Sequence, residues 1–271
     1  MLCVENYMSH PEYKEKIVNF GLQKTRVFEY EITDSTNTRA KLFAKNRPAE
    51  DKTPAIFFAR AQSSGRGTRG RAFESPANAG AYVSILFYPS LCAEDSGKIT
   101  AFSAVCVCRA LRRLKLDTAK IKWINDINID GKKLAGILTE GEIGEGGMLS
   151  YAIVGIGINT SDAEHSPEVA ARMTSLEREG VSKSPFDLAM LICEELFLAL
   201  NELGTDTVLN EYRVLSELLG RSAKIVCANG TFHETVVDID SDYSLITVDK
   251  DGNRKSYISA DVSASLFKNN N

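Results

Sequence analysis

The stretch Ala59 to Phe73, ARAQSSGRGTRGRAF, sets Gly65, Gly67 and Gly70 among Arg66, Arg69 and Arg71 directly after an apolar run. Glycines let backbone N–H groups approach an anion closely, and each guanidinium can add a charge-assisted hydrogen bond worth about 1.5–3 kcal/mol. That composition suits a phosphate-bearing ligand. Gly65 and Gly70 have the spacing of a Walker A loop, but Arg71 and Ala72 stand where Lys and Ser/Thr are required, which excludes that motif.

A second stretch, KWINDINIDGKKLAGIL from Lys122 to Leu138, ends a strand in Asn125 and Asp126 and returns Lys133 on the next strand. A carboxylate and an ammonium on neighbouring strands can hold a metal-bound phosphate between them or deprotonate an incoming amine. The plainer alternative is a turn-starting Asn-Asp pair with a solvated lysine. In Gly155-Ile156-Gly157-Ile158-Asn159 the missing side chains would let a flat ligand lie against a strand, and Thr160 in place of glycine excludes a Rossmann fingerprint. Asp34-Ser35-Thr36-Asn37 opens a helix, where hydroxyl and amide groups beside free N–H groups either cap the helix or take a small polar head group.

The elements that must position these groups alternate. VFEYEI, AIFFARAQ and AYVSILFYP read as strands, with a helix from DSTNTRAKLFAK after the first of them. A long helix follows in GKITAFSAVCVCRALRRL, where Ile99, Phe102, Cys106, Ala110 and Leu114 form one apolar stripe. AKIKWINDINID and KLAGILTEGEI are strand candidates joined by a turn at Asp130 and Gly131, and LSYAIVGIGIN is another. Ser184, Pro185 and Asp187 start a further helix, and one more runs from about Thr207 to Leu219 and stops at Gly220. The period then changes to two through AKIVC, TFHETVVDI, SLITVD and KSYIS, with turns at Asn229-Gly230 and Asp251-Gly252. This predicts an α+β fold: a mixed sheet packed with helices over 26–220, then a small β-barrel domain over 221–271, with 1–25 as an N-terminal arm.

Composition narrows the function. The 271 residues carry 32 Lys+Arg against 36 Asp+Glu, a formal net charge of −4, so no nucleic acid or anionic membrane is expected as partner. No apolar run approaches a membrane span and Glu5 stands where a signal peptide needs a basic, then apolar start, so a cytoplasmic protein is expected. Cys3, Cys92, Cys106, Cys108, Cys193 and Cys227 contain no CxxC pair and read as buried free thiols. An RNA-binding Arg/Gly segment is the competing reading of the loop, and the acidic balance speaks against it.

Taken in order, DSTN, QSSGRGTRGRAF, KWINDINIDGKKLAGIL and GIGIN resemble the catalytic domain of the biotin protein ligases, a class II synthetase-like fold, and the small β-domain is similar to that family's C-terminal domain. The resemblance implies ligation of biotin, through biotinyl-5'-AMP made from ATP with Mg2+, to a lysine of a biotin carboxyl carrier domain of the acetyl-CoA carboxylase type. It implies a biotin pocket of Ser35, Thr36, Asn37, Gln62, Gly65, Arg66, Gly67, Thr68, Lys133 and Gly136. Arg69, Arg71, Phe73, Asn125 and Asn159 would line the ATP side, with Phe73 closing over adenine. Arg66, Lys133 and Asp126 would be catalytic: the two cations neutralise the carboxylate and the reacting phosphate, and Asp126 either binds the metal or accepts the proton of the carrier lysine.

The chain departs from the family pattern at Thr68, where an arginine is expected, at Phe73, where tryptophan is common, and at Ile124, in place of proline. The first predicts weaker retention of the adenylate unless Arg69 compensates. Bifunctional members carry an N-terminal winged helix-turn-helix, which 25 residues cannot hold, so a monofunctional type is expected. Family members often dimerise through the edge of the central sheet, and a homodimer is the further expectation. A lipoate ligase and a non-catalytic biotin-sensing regulator are the alternatives the same residues leave open.

Overall fold

A computed structural model describes residues 12–162 and 165–264 of the chain. Its elements begin with strands β1 (Tyr13–Phe20) and β2 (Gln23–Thr33), helix α1 (Thr36–Lys45), β3 (Ala55–Gln62), β4 (Gly80–Phe87) and α2 (Ser96–Arg113). Next come β5 (Lys120–Lys122), β6 (Asp126–Ile129), β7 (Lys132–Ile143), β8 (Leu149–Asn159), α3 (Pro167–Ala170), α4 (Pro185–Leu198) and α5 (Asp206–Leu215). The last strands are β9 (Ser222–Cys227), β10 (Gly230–Ile239), β11 (Leu245–Val248), β12 (Arg254–Tyr257) and β13 (Asp261–Ala264).

The first eight strands form one mixed sheet in the order β1-β2-β3-β4-β8-β7-β6-β5, with only the β2–β3 pair parallel. Because side chains alternate along a strand, each strand divides its residues between two faces. On β8, Ala152, Val154, Ile156 and Ile158 enter the main core with α2, α4 and α5. Phe102, Cys106 and Ala110 of the α2 stripe are fully buried in it. Tyr151, Ile153, Gly155, Gly157 and Asn159 alternate onto the face that carries α1. The functional groups gather on this second face.

Local signals act where they were read. Ser184 accepts a hydrogen bond from the Asp187 amide at 3.1 Å, and Pro185 occupies the first turn of α4, where its missing N–H costs nothing. α5 stops at Leu215, short of Leu219, because the Glu217 amide pairs with Ile121 O at 2.9 Å and draws the chain onto β5.

Two expectations are corrected. The smaller unit is an open antiparallel sheet of five strands, in the order β12-β11-β10-β9-β13, and not a barrel: β12 and β13 lie at opposite ends and share no ladder. Its apolar face, with Ala223, Ile225, Val236, Ile239 and Leu245, packs into the same core cluster as the large sheet, so it has no need to curl upon itself. Within the expected N-terminal arm, residues 13–20 form a mainly exposed edge strand, zipped antiparallel to β2 from Tyr13↔Tyr30 to Phe20↔Gln23. AKIKWINDINID is a hairpin of two strands, not one strand, since Trp123 buries its indole and donates to Tyr243 O at 2.8 Å.

Cys106, Cys108 and Cys193 are buried, with thiols that burial pushes far above their ordinary range, whereas Cys92 and Cys227 are half-buried and Cys3 lies outside the described residues. Among the described residues no helix is long and apolar enough to cross a membrane, and no cluster of His, Cys, Asp and Glu has the geometry to hold a metal by itself.

Candidate active site

A cavity of about 320 Å³, the size range of small-molecule sites, lies on the α1 face of the sheet and draws its walls from all four motifs. From the helix opening come Ser35, Thr36 and Asn37, and from the strand and loop after it Gln62, Arg66, Gly67, Thr68, Arg71 and Phe73. The β6–β7 hairpin contributes Asn125, Asp126, Lys133 and Gly136, and β8 contributes Gly155 and Gly157. The arginine-bearing loop and the hairpin lysine therefore face one shared hollow.

One wall is a polar network. Asp34 turns the chain into α1: its Oδ1 accepts from the Ser35 amide at 2.6 Å and from Arg39 Nε at 2.7 Å. Burial raises the Asp34 carboxyl, but Arg39, the Ser35 amide and the Thr33 hydroxyl outweigh it and hold it below the usual range. Gln62 Oε1 accepts from the Thr36 amide at 2.8 Å and its hydroxyl at 3.2 Å, while Gln62 Nε2 donates to Ser75 Oγ at 2.8 Å. Ser84 Oγ lies 2.7 Å from Thr36 Oγ1 and donates to Asn37 Oδ1 at 2.5 Å. Asn37 Nδ2 donates to Glu140 Oε2 at 2.8 Å, and Arg66 reaches Glu140 Oε1 at 2.9 Å.

The opposite wall is cationic. Lys133 Nζ pairs with Asp126 Oδ1 at 2.7 Å and lies 5.8 Å from the centre of the Phe73 ring. Phe73 rests on the sheet where there are no side chains: a Cβ on Gly157 would come within 2.5 Å of its ring, and one on Gly155 within 2.2 Å of Asn37 Oδ1. The loop itself is a small hairpin, closed by Phe73 N to Gly65 O at 2.9 Å and Gly67 N to Arg71 O at 2.8 Å. Gly65 belongs to that closure rather than to the cavity wall, since a Cβ there would sit 2.2 Å from Phe73 O.

Two expected ATP-side residues lie elsewhere. Asn159 is buried, and its amide donates to Lys133 O and Thr174 O, each at 3.2 Å, so it anchors the backbone of Lys133 from behind. Arg69, with φ of 57°, turns away and binds Asp261 Oδ1 at 2.6 Å and Ser259 Oγ at 3.1 Å. Arg71 lines the cavity and also reaches Asp261 at 3.4 Å. A second hollow of about 250 Å³ between this loop and the smaller sheet shares Thr68, Arg71, Asn125 and Asp126 with the first.

Sequence reasoning missed Ser84, Glu140, Val169 and Arg172. Glu140 falls on the period-two face of β7 with Gly136 and Leu138, and Ser84 is a polar residue within an apolar strand; both signals were present. Val169 and Arg172 reach the cavity from α3 and the turn after it, a short segment with no motif. Glu74 fastens that segment, accepting from the Ser166 hydroxyl at 2.6 Å and amide at 3.0 Å, bonds that hold its carboxyl below the usual range.

The mixed sheet with its helices has the fold of solved biotin protein ligases. The biotin protein ligase from Aquifex aeolicus, solved in complex with biotin and ATP, shares this fold with a TM-score of 0.72, over 88% of this chain and 99% of that one, at 21% identity. Residues 29–159 match the Biotin/lipoate A/B protein ligase family. The bifunctional ligase/repressor BirA of Bacillus subtilis is 27% identical over 259 residues, covering 92% of this chain and 78% of that protein. The biotin--[acetyl-CoA-carboxylase] ligase of Paracoccus denitrificans is 35% identical over 133 residues, 48% of this chain and 53% of that protein.

Proposed function

We propose that the protein is an enzyme that ligates biotin to a lysine of a biotin carboxyl carrier domain in two steps. The biotin carboxylate attacks the α-phosphorus of MgATP, forming biotinyl-5'-AMP and expelling pyrophosphate. The ε-amine of the carrier lysine then attacks the acyl carbon, forming the amide and releasing AMP and a proton. Both steps develop or transfer negative charge beside the same atoms, so fixed cations lower their barriers. Arg66, Arg71 and Lys133 supply that charge around one cavity, which is the observation carrying this reading.

The polar wall of Thr36, Asn37 and Gln62 would take the ureido ring of biotin and the loop its carboxylate, with Phe73, Arg71 and Asn125 toward the nucleotide. Magnesium would arrive with ATP: Asp126 offers one carboxylate, and an ion of this kind draws its remaining ligands from phosphates and water. Asp126 also stands where it can receive the proton of the incoming amine. The dithiolane of lipoate has no group to satisfy the Thr36–Ser84–Asn37 wall, which favours biotin over lipoate.

The test is pyrophosphate release from ATP, with biotin and with lipoate. Release that needs biotin, and that falls by about 10²–10³-fold in Lys133→Ala with the fold kept, is the expected result. Release driven by lipoate, or none with either acid, rejects it.

A further inference from the structure

Helix α3 is four residues long and none of them is fully buried, yet its Val169 and the nearby Arg172 line the same cavity as Phe73 and Arg71. A single helical turn is unstable without outside partners, so its ends decide whether these two side chains stay at the cavity. At the start, Glu74 accepts from the Ser166 hydroxyl at 2.6 Å and the Ser166 amide at 3.0 Å, and the same hydroxyl oxygen caps α3 by taking the Val169 amide at 3.4 Å. The buried His165 ring lies beside that carboxylate, with Nδ1 at 3.6 Å. At the far end the Lys133 amide donates to Arg172 O and the Thr174 amide to Lys133 O, each at 3.0 Å. Glu74 directly follows Phe73 in the chain. α3 is therefore a strap between the two cationic walls, joined to Lys133 by backbone bonds and to the arginine loop by one carboxylate.

We propose that Glu74 is a positioning residue for the nucleotide: through Ser166 it holds α3 in place, so that Val169 gives an apolar surface and Arg172 a further cation to the ATP side of the cavity. The inference rests on the reading of Phe73 and Arg71 as facing ATP. Arg172 pairs with Glu168 at 3.2 Å, both side chains being more than three-quarters exposed, a contact that water weakens and a phosphate can replace. The wall of Thr36, Asn37 and Gln62 that would take biotin is built on α1 and β3, not on this strap. Loss of Glu74 frees only one end of the strap, because the bonds of Arg172 and Thr174 to Lys133 and the Asn159 amide remain. Lys133 then keeps its position, and the loss falls on the binding of ATP rather than on the reaction of bound ATP.

Pyrophosphate release by the whole protein at saturating biotin, with ATP varied, tests this, alongside calorimetric titration of biotin and amide hydrogen exchange of the free protein. Glu74→Ala should raise the KM for ATP about tenfold, with kcat and the Kd for biotin each within about threefold. Exchange should quicken at the amides of 169–172 and stay as in wild type along α2 and β8. Ser166→Ala should raise the same KM, and adding it to Glu74→Ala should cost little more, because both act through one contact. Ser166→Thr keeps the hydroxyl and should restore the KM of wild type. An unchanged KM for ATP in Glu74→Ala, equal losses of ATP and biotin, effects that add in the double variant, or exchange that quickens throughout the protein would each overturn the inference alone. A wild type that releases no pyrophosphate with biotin overturns the proposed function together with it.

Discussion

The ammonium of Lys133 and the carboxylate of Asp126 face each other at 2.7 Å across the β6–β7 hairpin, on the cationic side of a cavity that must receive two anions. Lys133→Ala therefore does more than remove a cation: it leaves an uncompensated carboxylate where phosphate has to bind. The double variant Lys133→Ala/Asp126→Asn should bind ATP better than Lys133→Ala, with a coupling of about 0.5–3 kcal/mol in a cycle built on the KM for ATP. Independent effects would show that the pair does not act as a unit. Stability should change little in Asp126→Asn, by less than about 1 kcal/mol, because the pair is partly exposed.

Thr68 lines the cavity, and its carbonyl and hydroxyl are engaged by Arg71 at 3.4 and 3.5 Å. Arg69 cannot take over the duty of an arginine at 68, since it is directed to Asp261 and Ser259. Restoring a guanidinium with Thr68→Arg should slow release of the adenylate about tenfold or more, one charge-assisted bond being worth about 1.5–3 kcal/mol. An unchanged release rate, followed by filter binding of labelled adenylate, rejects this account of the loop.

At Gly157 the floor of the site meets the Phe73 ring, and an added methyl would approach it to 2.5 Å. Gly157→Ala should displace Phe73, raise the KM for ATP and cost about 1–3 kcal/mol of stability, the range for overpacking. Tm by calorimetry and ATP kinetics check the two parts separately.

The entry to α1 predicts a pH dependence. Asp34 has its carboxyl below the 3.8 of an ordinary aspartate, so ionised Asp34 stabilises the fold fully above that value and progressively less as pH falls through it. The Tm deficit of Asp34→Asn should be greatest between about pH 6 and 8 and should narrow below about pH 4. A deficit that does not depend on pH would mean that packing at this corner, and not charge, holds α1.

What the chain disclosed by itself was mostly local. The glycine–arginine loop, the Asn125–Asp126 to Lys133 hairpin and the helix opening are short contiguous motifs, and all three meet at the cavity. The contacts it hid join distant segments: Glu140 to Asn37 across 103 positions and Arg69 to Asp261 across 192. Asn159 illustrates the limit, since its type suited a ligand contact and only the path of the 172–174 segment beside Lys133 shows its amide turned to the backbone. The barrel failed for a similar reason, because period-two strands and tight turns predict a ladder but not whether its ends meet.

The seam between the two sheets, where Ile225, Val236 and Leu245 join the core of the larger one and Trp123 bonds to Tyr243, has a consequence for how the molecule melts. Neither side can lose its order without exposing the other's apolar interior to water. Heating should therefore give a single cooperative transition, and a break in the chain at Gly220 would leave two halves that are each insoluble alone.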